Sequence, residues 1–196
     1  MKIGLYFGSF NPVHNGHLII AQHVLNETDL EKIWFVVSPQ NPFKQQKALL
    51  NEYDRLHLVN IAIEGSASLK AVDIEFKLPR PSYTIDTLTY LSEKYPQYQF
   101  SIIMGSDSYQ NLDDWKNAKT LKKNYSFYVY ERPGFPAVHT GNGNVFFLQA
   151  PLLQISATHI RELILRGKSI RFLVPDIVKE EIESNNYYKL KDPTKK

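Results

Sequence analysis

The sequence predicts a three-layer, doubly wound α/β fold: a mostly parallel sheet of about six strands with helices on both faces. Three observations lead there. Short apolar runs of strand length alternate with longer segments of helical period along the 196 residues, a rhythm that builds parallel sheets with helical crossovers. Runs such as IWFVV and FSIIM are continuously apolar rather than alternating, as strands buried on both faces are. The loops with unusual content, GSFNPVHNG, SPQNPFK, GSDSYQNLDDW and ERPGF, all follow strand patterns, and open parallel sheets bind ligands outside the carboxyl ends of their strands.

Taken in order, the apolar run Ile3–Phe7 predicts the first strand, and His17–Asn26 the first helix, with Leu18, Ala21, Val24 and Leu25 as its core-facing stripe. Ile33–Val37 is the second strand and Tyr53–Glu64 a helix of clear period. Leu69–Phe76 reads as a third strand, Thr84–Lys94 as a helix, and Phe100–Met104 as the fourth strand. A long helix is expected over Ser108–Lys122, then strands over Phe127–Tyr130 and Val145–Gln149. Helices over Thr158–Leu165 and Pro175–Ser184 close the pattern. The chain reads as one domain over 1–190 whose helical C-terminal part begins near 156, with 191–196 as a frayed, solvated tail.

Composition narrows the function. A chain of this length buries roughly 70% of its unfolded surface, enough for a sizeable core. It is 43% hydrophobic and 22% charged with a formal net charge of +3, too mild a basic bias for a duplex-binding footprint; a smaller anionic partner fits, and no nucleic acid is expected. There is no cysteine, which excludes disulfides, thiolate zinc sites and a cysteine nucleophile. The N-terminus runs directly into a strand pattern without a secretory segment, and no apolar run approaches the ~20 residues of a membrane span. The expectation is a cytoplasmic protein without membrane contact. No oligomeric state is read from the sequence.

The chemistry concentrates in FGSFNPVHNGHLII, residues 7–20. Gly8 lets the backbone turn or approach a ligand closely, Pro12 stiffens the loop, and the free N–H groups of the helix start favour an anion. His14 and His17 are three residues apart, so both rings share one side if the first turn has begun by His14. Beside phosphates an imidazole protonates more readily, and such a pair can neutralise charge developing on a phosphoryl group. The competing readings are a metal-binding pair, for which no third ligand follows at useful spacing, and a satisfied structural histidine. Neither a P-loop nor a G-x-G-x-x-G pattern is present. A second constellation, QISATHIRELIL, puts Ser156 and Thr158 at a helix start with Arg161 one turn later on the face of Thr158. That is either a phosphate-binding arrangement or a plain N-cap with a surface arginine.

Together GSFNPVHNGH and ISATHIR resemble the nucleotidyltransferase superfamily marked by H-x-G-H and I-S-[ST]-T-x-I-R, the first motif here being His14-Asn15-Gly16-His17. SPQNPFK, YDRLHLV, PSYTIDTL, GSDSYQNLDDWKN, YERPGF and IRFLVPDIVKEEIESNNYY, in that order and over nearly the whole chain, resemble the bacterial nicotinate-nucleotide adenylyltransferases. The resemblance implies a Rossmann-like fold and transfer of AMP from ATP to nicotinate mononucleotide, giving deamido-NAD and pyrophosphate. Two departures stand out: Asn41-Pro42-Phe43-Lys44 where the family often has P-P-H-K, and Ala157 where Ser or Thr is usual.

The resemblance also implies roles. His17 contacts the ATP phosphates and stabilises the transition state, and His14 assists near the reacting phosphate. Ser156, Thr158 and Arg161 hold the β- and γ-phosphates, and Gly8, Ser9 and Phe10 add backbone contacts. Asp107 meets a ribose hydroxyl or caps the next helix. Lys44 and Arg55 reach phosphate or are solvated charges. Trp115 stacks on the pyridine or belongs to the core, Tyr83 and Thr84 meet the pyridine carboxylate, and Arg132 faces a phosphate or caps the sheet edge. His23, His57, His139 and His159 receive no role. Magnesium is expected to travel with ATP, without a protein cage. The alternatives keep the chemistry with nicotinamide mononucleotide or phosphopantetheine as acceptor, or make the chain a nucleotide sensor without catalysis.

Overall fold

Lys2–Gly8 (β1), Lys32–Val37 (β2), Leu69–Val72 (β3), Gln99–Gly105 (β4), Ser126–Tyr130 (β5) and Val145–Leu148 (β6) form one parallel sheet in the order β3-β2-β1-β4-β5-β6. The computed structural model describes residues 1–39, 49–136, 143–151 and 154–189. Strand order reverses between β1 and β4, which pair in register from Lys2 with Gln99 to Tyr6 with Ile103. The crevice outside the carboxyl ends of those two strands is where a doubly wound sheet binds its ligand.

Both faces of the sheet are covered, because neighbouring residues of each strand point to opposite sides. Tyr6, Phe35, Ile103 and Tyr128 pack on one face with Val24, Ile160 and Val178 from the helices. Leu5, Trp34, Ile102 and Phe127 pack on the other with Leu88 and Leu91. The helices are Asn15–Glu27 (α1), Glu52–Ala62 (α2), Thr84–Lys94 (α3), Ser106–Gln110 (α4), Ala118–Asn124 (α5), Ala157–Leu165 (α6) and Asp176–Ser184 (α7). None of them is long and apolar enough to cross a membrane.

The fold class is the expected one, with three local differences. The third strand ends at Val72, and Ile74–Lys77 turns as a 3-10 helix that brings Glu75 inside. The helix expected over Ser108–Lys122 is broken into α4, a 3-10 turn at Leu112–Asp114 and α5. Its middle holds Asn111, Asp113, Asp114 and Asn117, poor helix formers, and Asn117 takes a left-handed conformation with φ of 54°. The first helix starts two residues earlier than expected, so Gly16 lies within its first turn. A Cβ there would come within 3.1 Å of the His14 ring.

Candidate active site

The end of β1 builds one wall of the site. The Phe10 ring lies across Gly8, where a Cβ would meet it at 2.9 Å, and packs edge-on against His17 with ring centroids 5.0 Å apart. His14 is the N-cap of α1 and His17 the third residue of its first turn. Their rings stack 3.7 Å apart at 23°. The His14 backbone N–H donates to His17 Nδ1 at 3.2 Å. A neutral ring that accepts at Nδ1 carries its proton on Nε2.

Both imidazoles are held below their ordinary range in the chain alone. His14 is pushed down to about 4, by burial first and then by the Arg132 guanidinium. His17 is pushed well down by burial, by its neighbour His14 and by Arg132. The pair is therefore neutral at pH 7 until an anion arrives, unlike the protonated pair expected beside bound phosphate. A stability consequence follows for His14. Between about 6.5 and about 4 the unfolded chain binds a proton that the folded chain refuses, so stability falls as pH falls through that window. Thermal melts from pH 7 to 5 are expected to show a steadily falling Tm, and His14→Gln to flatten the slope. A Tm that holds or rises on acidification would contradict the assignment.

The end of β4 builds the facing wall. Gly105 is the N-cap of α4, and Asp107 sits inside the first turn rather than at the cap position. A Cβ on Gly105 would collide with Asp107 Oδ1 and the Arg132 side chain, so glycine lets the two close over the strand end. Arg132 Nε lies 3.8 Å from Asp107 Oδ1. Both atoms are buried without a hydrogen-bond partner, a pair with capacity left for a ligand. Arg132 is positioned by Tyr130: its guanidinium lies 5.4 Å over the ring and donates to the hydroxyl at 3.2 Å. Its backbone N–H donates to Ser106 Oγ at 2.9 Å. It does not cap the sheet edge, which β6 supplies.

Between these walls lies a cavity of about 250 Å³, onto which Gly8, Ser9, Phe10, His17, Asp107 and Arg132 open. The same cavity is lined by Tyr83, the N-cap of α3, Thr84, the first residue of that helix, and Trp115. Trp115 is half-buried, one side against the core and one toward the cavity. Two wall residues were not singled out from the sequence. Lys116 lies 4.8 Å over the Tyr83 ring and pairs with Asp86. Glu75, 2% exposed, is a buried carboxylate; its only sequence signal is a charge inside an apolar run.

The second motif flanks the first but is not itself on the cavity wall, Ala157 excepted. Ser156 caps α6 by accepting from the His159 N–H at 3.2 Å. Arg161 donates to Thr158 Oγ1 at 3.3 Å and to the Asn11 carbonyl at 2.7 Å. It thereby ties the start of α6 to the β1–α1 loop. His14 and Gly16 meet Ile155 in a smaller neighbouring pocket.

Arg55 departs most from its expected placement. It is neither a solvated charge nor a free phosphate ligand, being fully buried. It donates to the carbonyls of Leu50, Ser9, Ser38 and Pro39 at 2.5–3.1 Å, which binds the loops after β1 and β2 to the start of α2. Lys44 and Phe43 lie outside the described residues, as do His139 and the tail 191–196. His57 faces Glu181 of α7 at 3.2 Å, away from the cavity. Among the described residues no group of three or more His, Asp or Glu could hold a metal ion.

Comparison with known proteins agrees with this geometry. The Cytidylyltransferase-like family model matches residues 5–163. A protein of Cytophaga hutchinsonii named nicotinate-nucleotide adenylyltransferase is 52% identical over 96% of this chain and 98% of its own. One from Flavobacterium psychrophilum with the same name is 47% identical over 96% of this chain and all of its own. The solved nicotinic acid mononucleotide adenylyltransferase of Plasmodium falciparum, complexed with NaAD, superposes with a TM-score of 0.81 at 21% identity, covering 95% of this chain and 97% of that one. At that identity the likeness concerns the fold.

Proposed function

Because the chain belongs to the Cytidylyltransferase-like family, and within it to the nicotinate-nucleotide adenylyltransferases, we propose that its cavity transfers AMP from MgATP to nicotinate mononucleotide, releasing pyrophosphate and deamido-NAD. The observation that carries this reading is one cavity at the β1–β4 switch point with two kinds of lining. His17, Asp107 and Arg132 supply donors and an acceptor, and Tyr83, Thr84 and Trp115 a helix start and an aromatic face.

An oxygen of the mononucleotide's phosphate attacks the α-phosphorus of ATP, the bond from that phosphorus to the bridging oxygen breaks, and pyrophosphate leaves. The attacking oxygen is already ionised, so no protein base or covalent nucleophile is needed. Catalysis then rests on positioning and charge stabilisation. His17 donates from Nε2 to the α-phosphate, where charge develops, and His14 fixes the ring that does so. Incoming phosphate favours the protonated form of His14, whose Nδ1 has no hydrogen-bond partner. Arg132 faces a phosphate from the opposite wall, and Asp107 accepts from a ribose hydroxyl. Thr158, Arg161 and the N-terminus of α6 hold the β- and γ-phosphates, with Ala157 contributing backbone alone. Ser156 acts there through its cap. Gly8, Ser9 and Phe10 offer backbone groups along the triphosphate, and Lys44 a cation from the β2–α2 loop. Arg55 serves as the brace beneath that loop. Magnesium enters as the phosphate complex of ATP.

At the acceptor end Trp115 stacks on the pyridine, and the first-turn N–H groups of α3 at Tyr83 and Thr84 meet its carboxylate. A carboxylate accepts from such donors more strongly than a neutral amide does, which is the physical reason to favour the acid over nicotinamide mononucleotide. The test is to follow label from α-labelled ATP. With nicotinate mononucleotide present, it is expected in deamido-NAD and not on protein. Label that stays in ATP, or that appears on the protein without acceptor, would overturn the reading.

A further inference from the structure

Glu75 is a buried carboxylate that the reaction above does not use. The 3-10 turn at Ile74–Lys77 carries it inside, to 2% exposure, in the wall of the cavity. Its two oxygens are used separately: Oε2 accepts from Ser82 Oγ at 2.9 Å and Oε1 from Thr87 Oγ1 at 3.0 Å. The Ser38 hydroxyl, just past β2, also bonds to it. No cation neutralises it within this set. Burial pushes the carboxyl up from its usual range while the three hydroxyls pull it back. A buried carboxylate is costly wherever an apolar residue would fit, so its presence asks for a role.

Its position supplies one. Ser82 immediately precedes Tyr83, the N-cap of α3, and Thr87 lies one turn into that helix. The carboxylate therefore grips the chain on both sides of Tyr83 and Thr84, the N-cap and first residue of α3, which both line the cavity. Without the grip, the start of α3 keeps its backbone hydrogen bonds and the packing of Ile85 and Leu88 but loses the tie that fixes Ser82 and Thr87 to the 3-10 turn. Donors displaced by as little as about 1 Å lose much of their value to a bound group.

We infer that Glu75 is a positioning residue for the acceptor end of the cavity, clamping Ser82 and Thr87 so that the first turn of α3 presents its N–H groups to an anionic substituent on the acceptor's ring. This rests on the proposed function, in which that substituent is the pyridine carboxylate. Glu75 does not touch the substrate itself; it acts through α3.

Steady-state kinetics of the full chain, with MgATP and nicotinate mononucleotide varied in turn, test the inference. Since one hydrogen bond contributes about two- to tenfold, Glu75→Ala, which removes several at once, is expected to raise KM for the mononucleotide about tenfold or more. Ser82→Ala and Thr87→Val, each removing one arm, should raise it about two- to fivefold. In all three, KM for MgATP should stay within about twofold, because its site is built from other elements. Glu75→Gln, which keeps the shape and can accept from one hydroxyl while donating to the other, should recover most of the affinity. Should Glu75→Ala fail to fold, the two single-arm variants carry the test. An unmoved mononucleotide KM, or both KM values rising together, would overturn the clamp. A wild-type chain that adenylates no mononucleotide would instead overturn the functional reading, so the two failures are distinguishable.

Discussion

Replacing His17 by alanine is expected to lower kcat about a hundredfold or more, the loss of about 2.7 kcal/mol of transition-state stabilisation, with little change in thermal stability. The ring is half-buried on the cavity wall, and its Nδ1 is held by the His14 N–H, which leaves Nε2–H as the group it can offer. A donor that strengthens as charge moves onto the α-phosphate acts mainly on kcat, so KM for MgATP should move far less. The measurement is a full kinetic comparison beside melting curves of both proteins. Near-normal turnover would mean that the charge is stabilised elsewhere in the cavity.

Replacing Arg55 by alanine is expected to damage the fold rather than the chemistry directly. The guanidinium is fully buried and donates to four backbone carbonyls from three separate segments. Its removal leaves those acceptors without donors, at roughly 1–3 kcal/mol each before water enters the space. The net loss should be about 3–5 kcal/mol, which for a chain of this size lowers Tm by on the order of 10 °C. Arg55→Lys should rescue little, because one compact ammonium cannot reproduce a fork that spans carbonyls of several loops. Thermal and denaturant melts of the three proteins read this directly. A melting point within a degree or two of the parent for Arg55→Ala would contradict the bracing role.

The contrast between these two residues shows what the sequence makes legible. His17 lies at a strand-to-helix junction, and its meaning is local: the spacing to His14, the glycine between them and the helix start all occur within four residues. The same holds for Ser156, Thr158 and Arg161 at the start of α6. The sheet is legible for a similar reason, since continuous apolar runs identify strands buried on both faces. Arg55 and Glu75 were not legible in this way. A charged residue in a helix or beside an apolar run reads as solvent-facing, because burial of its charge depends on partners distant in sequence. For Arg55 those partners include Ser9, 46 residues away; for Glu75 they include Ser82 and Thr87, on the next element, and Ser38, on the far side of α2. The broken helix at Ser106–Asn124 lies between these cases. Its Asn and Asp residues signalled a break, but the apolar period across them was the stronger pattern.

These two buried charges also explain how the loops form a site. Arg55 ties the loops after β1 and β2 to α2, and Glu75 ties the end of β2 to the start of α3. The loops that wall the cavity are thereby fixed to the same end of the sheet, the positioning that the proposed in-line transfer between two substrates would need. Arg161 adds a third tie, from α6 to the β1–α1 loop.

The most direct test of the central claim is the ratio of kcat/KM for nicotinate mononucleotide to that for nicotinamide mononucleotide, measured by pyrophosphate release at saturating MgATP. Turnover is expected with both products formed in equal amounts. The acid is expected to be preferred by about tenfold or more, the worth of one charge-assisted hydrogen bond. Equal use of the two mononucleotides, or a preference for the amide, would contradict it.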